Sequence, residues 1–350
     1  MGVIYMNLSK INVALIGCGR AGMIHARNFR AAVPGVKLVA VCDAFPEAAK
    51  AAAEELELEN YETDYLNIIG DKNIDAVIIA TPTQFHCEIA VAAANAGKHI
   101  LCEKPLAVDV NECNRMDEAA KKNGVILQVA FMRRFDVSFV EAKRMIEAGE
   151  IGDVVMVRSN TRGPSIPKPW MYDISKSNGP LAEVNSHDID SLRWFTGSDF
   201  KTVYAIGGNY RCPDAKSEFP DFYDNVTLNA SFVNGCQGII DGAQGVLYGY
   251  DARCEILGTK GCIYLGNTRE NFVTLCRSDM HRSEEYINSW KYLFREAYLA
   301  EDTDFAAAVK EGRAPRVTAY DGKMAVLTVN AGNLSIREKR IVEISGDRLI

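Results

Sequence analysis

Short apolar runs alternate with longer mixed segments along the first 130 residues. Ile11–Ile16 is largely apolar and runs into glycines, and a helical stretch follows to Ala32, where Pro34-Gly35 breaks it. Lys37–Cys42 reads as a strand, and Pro46 suits the first position of an Ala/Glu-rich helix reaching about Leu58. A strand at Ala76–Ala80, a helix from about Phe85 to Gly97, a strand at His99–Cys102, a helix from about Asn111 to Asn123 and a strand at Val125–Ala130 complete the series. Most of these strands are apolar on both faces, as parallel strands are when helices cover both sides. The pattern predicts an α/β fold, with a doubly wound parallel sheet of the Rossmann type over residues 1–132.

The rhythm changes after Arg133. A helix (Val137–Ala148) and a strand (Val154–Ser159) lead into an irregular stretch, Thr161–Pro180, with four prolines and two glycines. A helix at Val184–Phe195 comes next. Strands then follow without intervening helices, at Thr202–Ile206, Val226–Phe232, Gly238–Asp241, Cys254–Leu257, Cys262–Leu265 and Val273–Cys276. Helices at Ser289–Glu311 and Asp321–Lys339 close the chain. This predicts a C-terminal α+β domain, residues 133–350, with a large, mostly antiparallel open sheet.

Composition narrows the function classes. The net charge of −7 and the lack of a basic stripe speak against nucleic acid as a partner. No apolar run approaches the roughly 18 residues of a membrane span. Met1–Lys10 lacks the charged-then-apolar order of a signal peptide, so the expected location is the cytoplasm. Ten cysteines without a CxxC pair, several in apolar strands such as Cys42, Cys102 and Cys276, are expected to be free, mostly buried thiols; no metal site is expected.

Gly17-Cys18-Gly19-Arg20-Ala21-Gly22 fits GxGxxG directly after a predicted strand and at the start of a predicted helix, and Asp43 ends the next strand. Together these form the dinucleotide fingerprint. Gly17 permits the tight turn, Gly19 lets the backbone approach a pyrophosphate, and Gly22 lets helix and strand pack closely. Arg20, Ala21 and Met23 lie with them at a helix N-terminus that offers free N–H groups and a partial positive charge. Asp43 suits the ribose hydroxyls and repels a 2′-phosphate, and Ala44 offers no arginine, so NAD is the expected cofactor rather than NADP. At the ends of later strands, Thr81, Pro82, Thr83 and Gln84, with His86, fall where a doubly wound sheet binds ligand. Glu103-Lys104-Pro105 lies at the same edge. From position alone, Lys104 is either a proton donor or acceptor at a reacting oxygen or half of a surface Glu–Lys pair.

These strings resemble the Gfo/Idh/MocA oxidoreductases, named after glucose–fructose oxidoreductase, inositol dehydrogenase and a rhizopine catabolism protein. The resemblance rests on Gly17–Gly22, Asp75–Thr83 with His86, Ala96–His99 running into Cys102–Pro105, Phe131–Asp136, His187–Asp190, Tyr248–Asp251, Glu255 and Gly258–Gly261, and it spans roughly residues 10–345. It implies a catalytic Lys104 beside the nicotinamide, with Glu103 at the cofactor.

In the second domain, Glu183 and His187 are four apart on the predicted helix and so share a face. A carboxylate beside an imidazole fixes its tautomer and raises its basicity. The resemblance implies an Asp-x-x-x-His pair with both members catalytic; His187 matches and Glu183 is one methylene longer. Thr161-Arg162-Gly163-Pro164 departs from the Arg-Asp-Pro or His-Arg-Asn-Pro of relatives. Arg162, Trp170, Tyr248 and Tyr250 are the expected substrate contacts, with the inward-facing tyrosine left open between Tyr248 and Tyr250. One of Arg133 and Arg134 is expected to salt-bridge Asp136, and Trp290, Tyr292 and Phe294 to lie in the core. The implied activity is hydride transfer between NAD and a ring hydroxyl of a cyclic polyol, sugar or glycoside. Two alternatives are NAD-assisted glycoside cleavage with internally recycled cofactor, and a nucleotide-sensing regulator. The resemblance also implies a homo-oligomer, dimer or tetramer, packed through the open sheet.

Overall fold

The computed structural model describes residues 10–350, so all but the last residue of the Met1–Lys10 reading lies outside the described residues. The chain forms two compact units. Of the described residues, one unit comprises 10–107, 111–130 and 298–322, and the other 108–110, 131–297 and 323–350. The division drawn from the sequence is a single cut after residue 132. The observed units change over at Ala130/Phe131 and include a return of the chain to the first.

In the first unit, strand β1 (Ile11–Ile16) leads through helix α1 (Arg20–Ala31) to β2 (Val36–Cys42), α2 (Pro46–Glu55), β3 (Tyr61–Glu62) and α3 (Tyr65–Gly70). β4 (Ala76–Ile79), α4 (His86–Asn95), β5 (His99–Glu103), α5 (Val110–Asn123) and β6 (Leu127–Ala130) follow. The six strands order as β3-β2-β1-β4-β5-β6, all parallel, the strand order of a dinucleotide-binding sheet. β3 and α3 were not predicted; a two-residue strand leaves too little periodicity to read. Ala76–Ile79 is buried at every position because helices cover both faces. Gly22, Met23, His25, Ala26 and Phe29 form the buried face of α1. The returning segment seals this core, with Phe305 packed edge-on against Phe29 at 6.5 Å.

The second unit runs through α6 (Val137–Glu147), β7 (Val154–Gly163), α7 (Ile174–Ser177), α8 (Gly179–Glu183) and α9 (Ser186–Thr196) to β8 (Phe200–Gly208). Next come β9 (Asn225–Phe232), β10 (Gln237–Gln244), β11 (Asp251–Gly258), β12 (Cys262–Leu265), β13 (Arg269–Cys276) and β14 (Arg282–Tyr286). α10 (Trp290–Leu293) follows; α11 (Arg295–Glu311) lies from Tyr298 onward in the first unit, and α12 (Ala319–Glu338), β15 (Val342–Ser345) and β16 (Arg348–Leu349) complete the chain. Eight strands make one sheet, ordered β12-β11-β7-β10-β9-β8-β15-β16; the β7–β10 pair is parallel and its other pairs are antiparallel. β13 and β14 form a separate hairpin.

Two local expectations are corrected here. The predicted helix over Ser289–Glu311 breaks at Phe294, which is buried and stacked edge-on against Phe139 at 6.4 Å. Of the three aromatics expected in the core, Phe294 lies there, whereas Tyr292 is exposed. None of the ten cysteines is in a disulfide and most are buried, as expected, while Cys276, read in an apolar strand, is exposed on the hairpin. No described helix is long and apolar enough to cross a membrane, and no cluster of metal-ligating side chains occurs among the described residues.

Candidate active site

The cradle for a dinucleotide forms at the carboxyl ends of β1, β2 and β4. Gly17 adopts φ +103°, and a Cβ there would lie 2.6 Å from the Ala80 carbonyl carbon, so only glycine fits. A Cβ on Gly22 would lie 2.0 Å from the Gly17 carbonyl oxygen, which is why α1 approaches the strand so closely. Around Gly19 nothing lies within 4 Å of such an atom: the loop is open where a pyrophosphate would approach. Gly19 is also the N-cap of α1, and no side chain caps that end and no acid sits in its first turn. The first-turn N–H groups and the positive end of the helix therefore remain available to an anion.

Asp43 is tied into this loop. Its Oδ2 accepts from Cys18 N–H at 2.8 Å and its Oδ1 from Phe45 N–H at 2.9 Å, which orients the carboxylate and leaves lone pairs for hydroxyl donors. Burial, then the Asp43 charge, pushes the Cys18 thiol up to about 12, so it is no nucleophile at neutral pH. Beyond β4, the Thr81 hydroxyl is buried and has no hydrogen-bond partner among the described residues, as expected of a group awaiting a ligand. Thr83 is buried, while Pro82 and Gln84 are exposed. His86 does not reach outward. Its Nδ1 faces the Pro105 carbonyl and its Nε2 the Thr81 carbonyl, both at 2.9 Å, so the ring braces the two loops against each other. Two carbonyls could each take a proton from a cationic ring, but burial pushes the His86 pKa down; the enclosed ring stays neutral and donates to one of them. Lys104 follows β5 at the same edge of the sheet, and its N–H donates to Glu103 Oε2 at 2.9 Å. Glycine loop, acid and orphaned hydroxyl together fit an adenine dinucleotide.

In the second unit, His187 opens α9. The sequence placed Glu183 and His187 on one helix, but the helix breaks between them: Glu183 ends α8, Val184 caps it, and Asn185 is the N-cap of α9. The i, i+4 argument therefore does not apply. His187 is buried and meets the Phe131 ring edge-on at 5.8 Å. The next residue, Asp188, is the hub of a buried polar network. Its Oδ1 accepts from Arg133 Nη1 at 2.8 Å, Ser159 Oγ at 2.5 Å and Thr161 Oγ1 at 2.9 Å, and its Oδ2 from Asn185 Nδ2 at 2.8 Å. Arg134 grips Asp190 with two bonds, at 2.9 and 2.6 Å. The arginines thus pair with aspartates of α9, not with Asp136, which instead caps α6 through Ser138 N–H and Phe139 N–H. These pairs were missed because Arg133 and Asp188 are 55 residues apart in the chain.

The network also separates the two tyrosines. Tyr250 is 6% exposed, interacts with Arg133 and lies against Gly163; burial raises its pKa. Tyr248 is 41% exposed and donates to Asp251 Oδ2 at 3.1 Å. Alternation along β7 puts Thr161 on the face of Asp188 and turns Arg162 to the other face. There Arg162 pairs with Asp241 and Tyr248. Trp170 is 42% exposed in the turn Pro169–Tyr172, while Tyr172 is buried against Phe222 at 4.8 Å.

The sequence matches two family models: the oxidoreductase family with an NAD-binding Rossmann fold over residues 11–131, and the Gfo/Idh/MocA C-terminal domain over residues 139–264. Among relatives, a myo-inositol 2-dehydrogenase of Thermotoga maritima is 35% identical over 95% of this chain and 98% of its own. A scyllo-inositol 2-dehydrogenase (NAD(+)) of Bacillus subtilis is also 35% identical, over 97% and 98%. The solved scyllo-inositol dehydrogenase of Lactobacillus casei, with bound NAD(H) and scyllo-inositol, is 28% identical with a TM-score of 0.87, covering 95% of this chain and 99% of that one. Similarity that runs through both domains and nearly end to end makes this chain a member of the Gfo/Idh/MocA oxidoreductases, its first unit an NAD-binding Rossmann domain.

Proposed function

We propose that the protein is an NAD-dependent dehydrogenase acting on a secondary ring hydroxyl of a cyclic polyol of the inositol class. The observation that carries this reading is Lys104, standing beyond β5 at the sheet edge that holds the Gly17–Gly22 cradle and Asp43. Near-full-length relatives named as inositol dehydrogenases support the substrate class. When bound, the nicotinamide exchanges a hydride with the carbinol carbon. Gly19 and the α1 N-terminus hold the pyrophosphate, Asp43 the adenosine ribose, and Thr81 and Thr83 the adjoining part of the cofactor. Lys104 polarises the reacting oxygen, and His187 takes the hydroxyl proton as the carbonyl forms. Glu183 supplies a carboxylate from the neighbouring helix rather than from the turn before His187. Tyr250 contacts substrate in preference to Tyr248.

Self-association through the large sheet belongs to the same reading. Cross-strand partners put Tyr204, Asn229, Ile239, Arg158, Glu255 and Tyr264 in one row on one face. Tyr204 and Tyr264 there, and Ile206 two residues beyond Tyr204, are exposed, as on a face that packs against a second copy. Ten free thiols and a nicotinamide reaction suit the cytoplasm.

The test is to supply NAD or NADP with a panel of inositols, aldoses and glycosides, following reduced nicotinamide, with Lys104→Ala alongside. NADH formed from inositols, and reduced by about 10²-fold or more in the variant, is the expected result. Release of an aglycone without net NADH would move the assignment to glycoside cleavage, and NAD binding without turnover of any substrate would move it to a sensor.

A further inference from the structure

The first unit contains a buried acid–base chain that the proposed reaction leaves unused. His25, on the inner face of α1, is 0% exposed. Its Nδ1 lies 2.6 Å from Oδ1 of Asp302 on α11, and its Nε2 3.4 Å from Oε1 of Glu103 at the end of β5. Asp302 Oδ2 accepts from Asn28 Nδ2 at 2.8 Å, and the Tyr298 ring closes the site edge-on at 5.3 Å. The other Glu103 oxygen, Oε2, is the acceptor of Lys104 N–H. The chain thus runs Asn28, Asp302, His25, Glu103, Lys104, across three elements of one unit. Ionised carboxylates only accept hydrogen bonds, so an imidazole between two of them satisfies both only as the cation.

We propose that His25 is a positioning residue for Lys104, acting through Glu103. The assignment rests on the reading of Lys104 as the reacting amine. A carboxylate this deep becomes neutral unless a cation or strong donors hold its charge. Burial pushes Glu103 up, but the His25 hydrogen bond and charge, with Lys104, outweigh it and hold Glu103 below the usual carboxylate range. Burial likewise works against the His25 cation, and Asp302 and Glu103 together raise its pKa well above the ordinary value. The other titratable groups around Glu103 are His86 and Cys102, neither of which shares a hydrogen bond with its carboxylate. Without His25, burial prevails, Glu103 takes up a proton, and the Lys104 backbone N–H loses its charged acceptor. Asp302 is the anchor of His25: burial raises its carboxyl above the ordinary value, and the His25 charge and the hydrogen bonds from His25 and Asn28 work against that rise.

The test compares His25→Gln, Glu103→Gln and the double variant in the full-length protein. The rate at which acetic anhydride labels Lys104 at fixed pH is read by mass spectrometry against Lys323. Each single variant is expected to label Lys104 several-fold faster, because the strand end that Glu103 ties to the Lys104 backbone N–H is loosened. The double variant should match the singles, because both substitutions act on one coupled unit. Polyol oxidation should fall by about tenfold in kcat in each variant, and in His25→Gln, which lies outside the cofactor cradle, NAD affinity should be unchanged. Additive effects in the double variant, or labelling unchanged in either single, overturn the proposal. Should His25→Gln fail to fold, nitrogen NMR of wild-type His25 at about pH 8, above the ordinary histidine range, decides: a doubly protonated ring upholds the chain and a neutral ring overturns it. A wild-type protein that oxidises no polyol but shows the labelling pattern would refute the functional reading and leave the coupling intact.

Discussion

Replacing Arg133 by methionine isolates the charge that stabilises the second unit. Arg133 is 1% exposed and Asp188 0%, and the guanidinium lies 5.7 and 5.5 Å from the Phe139 and Phe294 ring centroids. Methionine preserves most of that packing but deletes the bonds to Asp188 at 2.8 Å and Thr161 at 2.6 Å. The carboxylate is left buried with neutral donors alone: Ser159, Thr161 and Asn185. Deleting one partner of a buried pair costs about 3–5 kcal/mol, and those three remaining bonds put the cost near the lower figure. At about 2–4 °C per kcal/mol, the thermal midpoint should fall by about 6–12 °C. Adding Asp188→Asn removes the stranded charge and should recover about 1 kcal/mol or more. Differential scanning calorimetry of the wild type and the two variants checks this. A loss under about 1 kcal/mol in Arg133→Met, or a further loss on adding Asp188→Asn, would refute the argument that the buried charge dominates.

Further expectations concern the cofactor unit. Gly22→Ala puts a Cβ 2.0 Å from the Gly17 carbonyl oxygen, so the loop must shift. NAD binding measured by calorimetry should weaken at least about tenfold, with about 1–3 kcal/mol lost in stability from overpacking. Asp43→Ser combined with Ala44→Arg should weaken NAD about tenfold or more and raise the preference for NADP, read as the ratio of kcat/KM values. His25 also makes stability depend on pH. Its folded pKa lies above the unfolded value of 6.5, so its contribution is full below that value and declines as pH rises through the raised folded value. Denaturant titrations across that range should show a decline that His25→Gln lacks; parallel curves would contradict the linkage.

How much was legible from the sequence follows from the range of the forces involved. The glycine loop, the acid at the end of the second strand and the parallel sheet could be read because each is local: a glycine is demanded by its own φ, and a buried parallel strand announces itself by an unbroken apolar run. Resemblance carried the rest of the family assignment, through strings such as Glu103-Lys104-Pro105 and His187–Asp190. The tertiary structure alone decided the helix break between Glu183 and His187, since an apolar pattern does not mark where two short helices part. It also buried Tyr250 beside Arg133 and left Tyr248 exposed. Two tyrosines beside a glycine turn carry no sign of which meets Arg133, a residue more than a hundred positions earlier. The same holds for His25 with Asp302 and for Arg133 with Asp188, 277 and 55 residues apart. A buried charge is tolerated only where a distant partner neutralises it, and that partner is chosen by chain topology, which periodicity along the sequence does not encode.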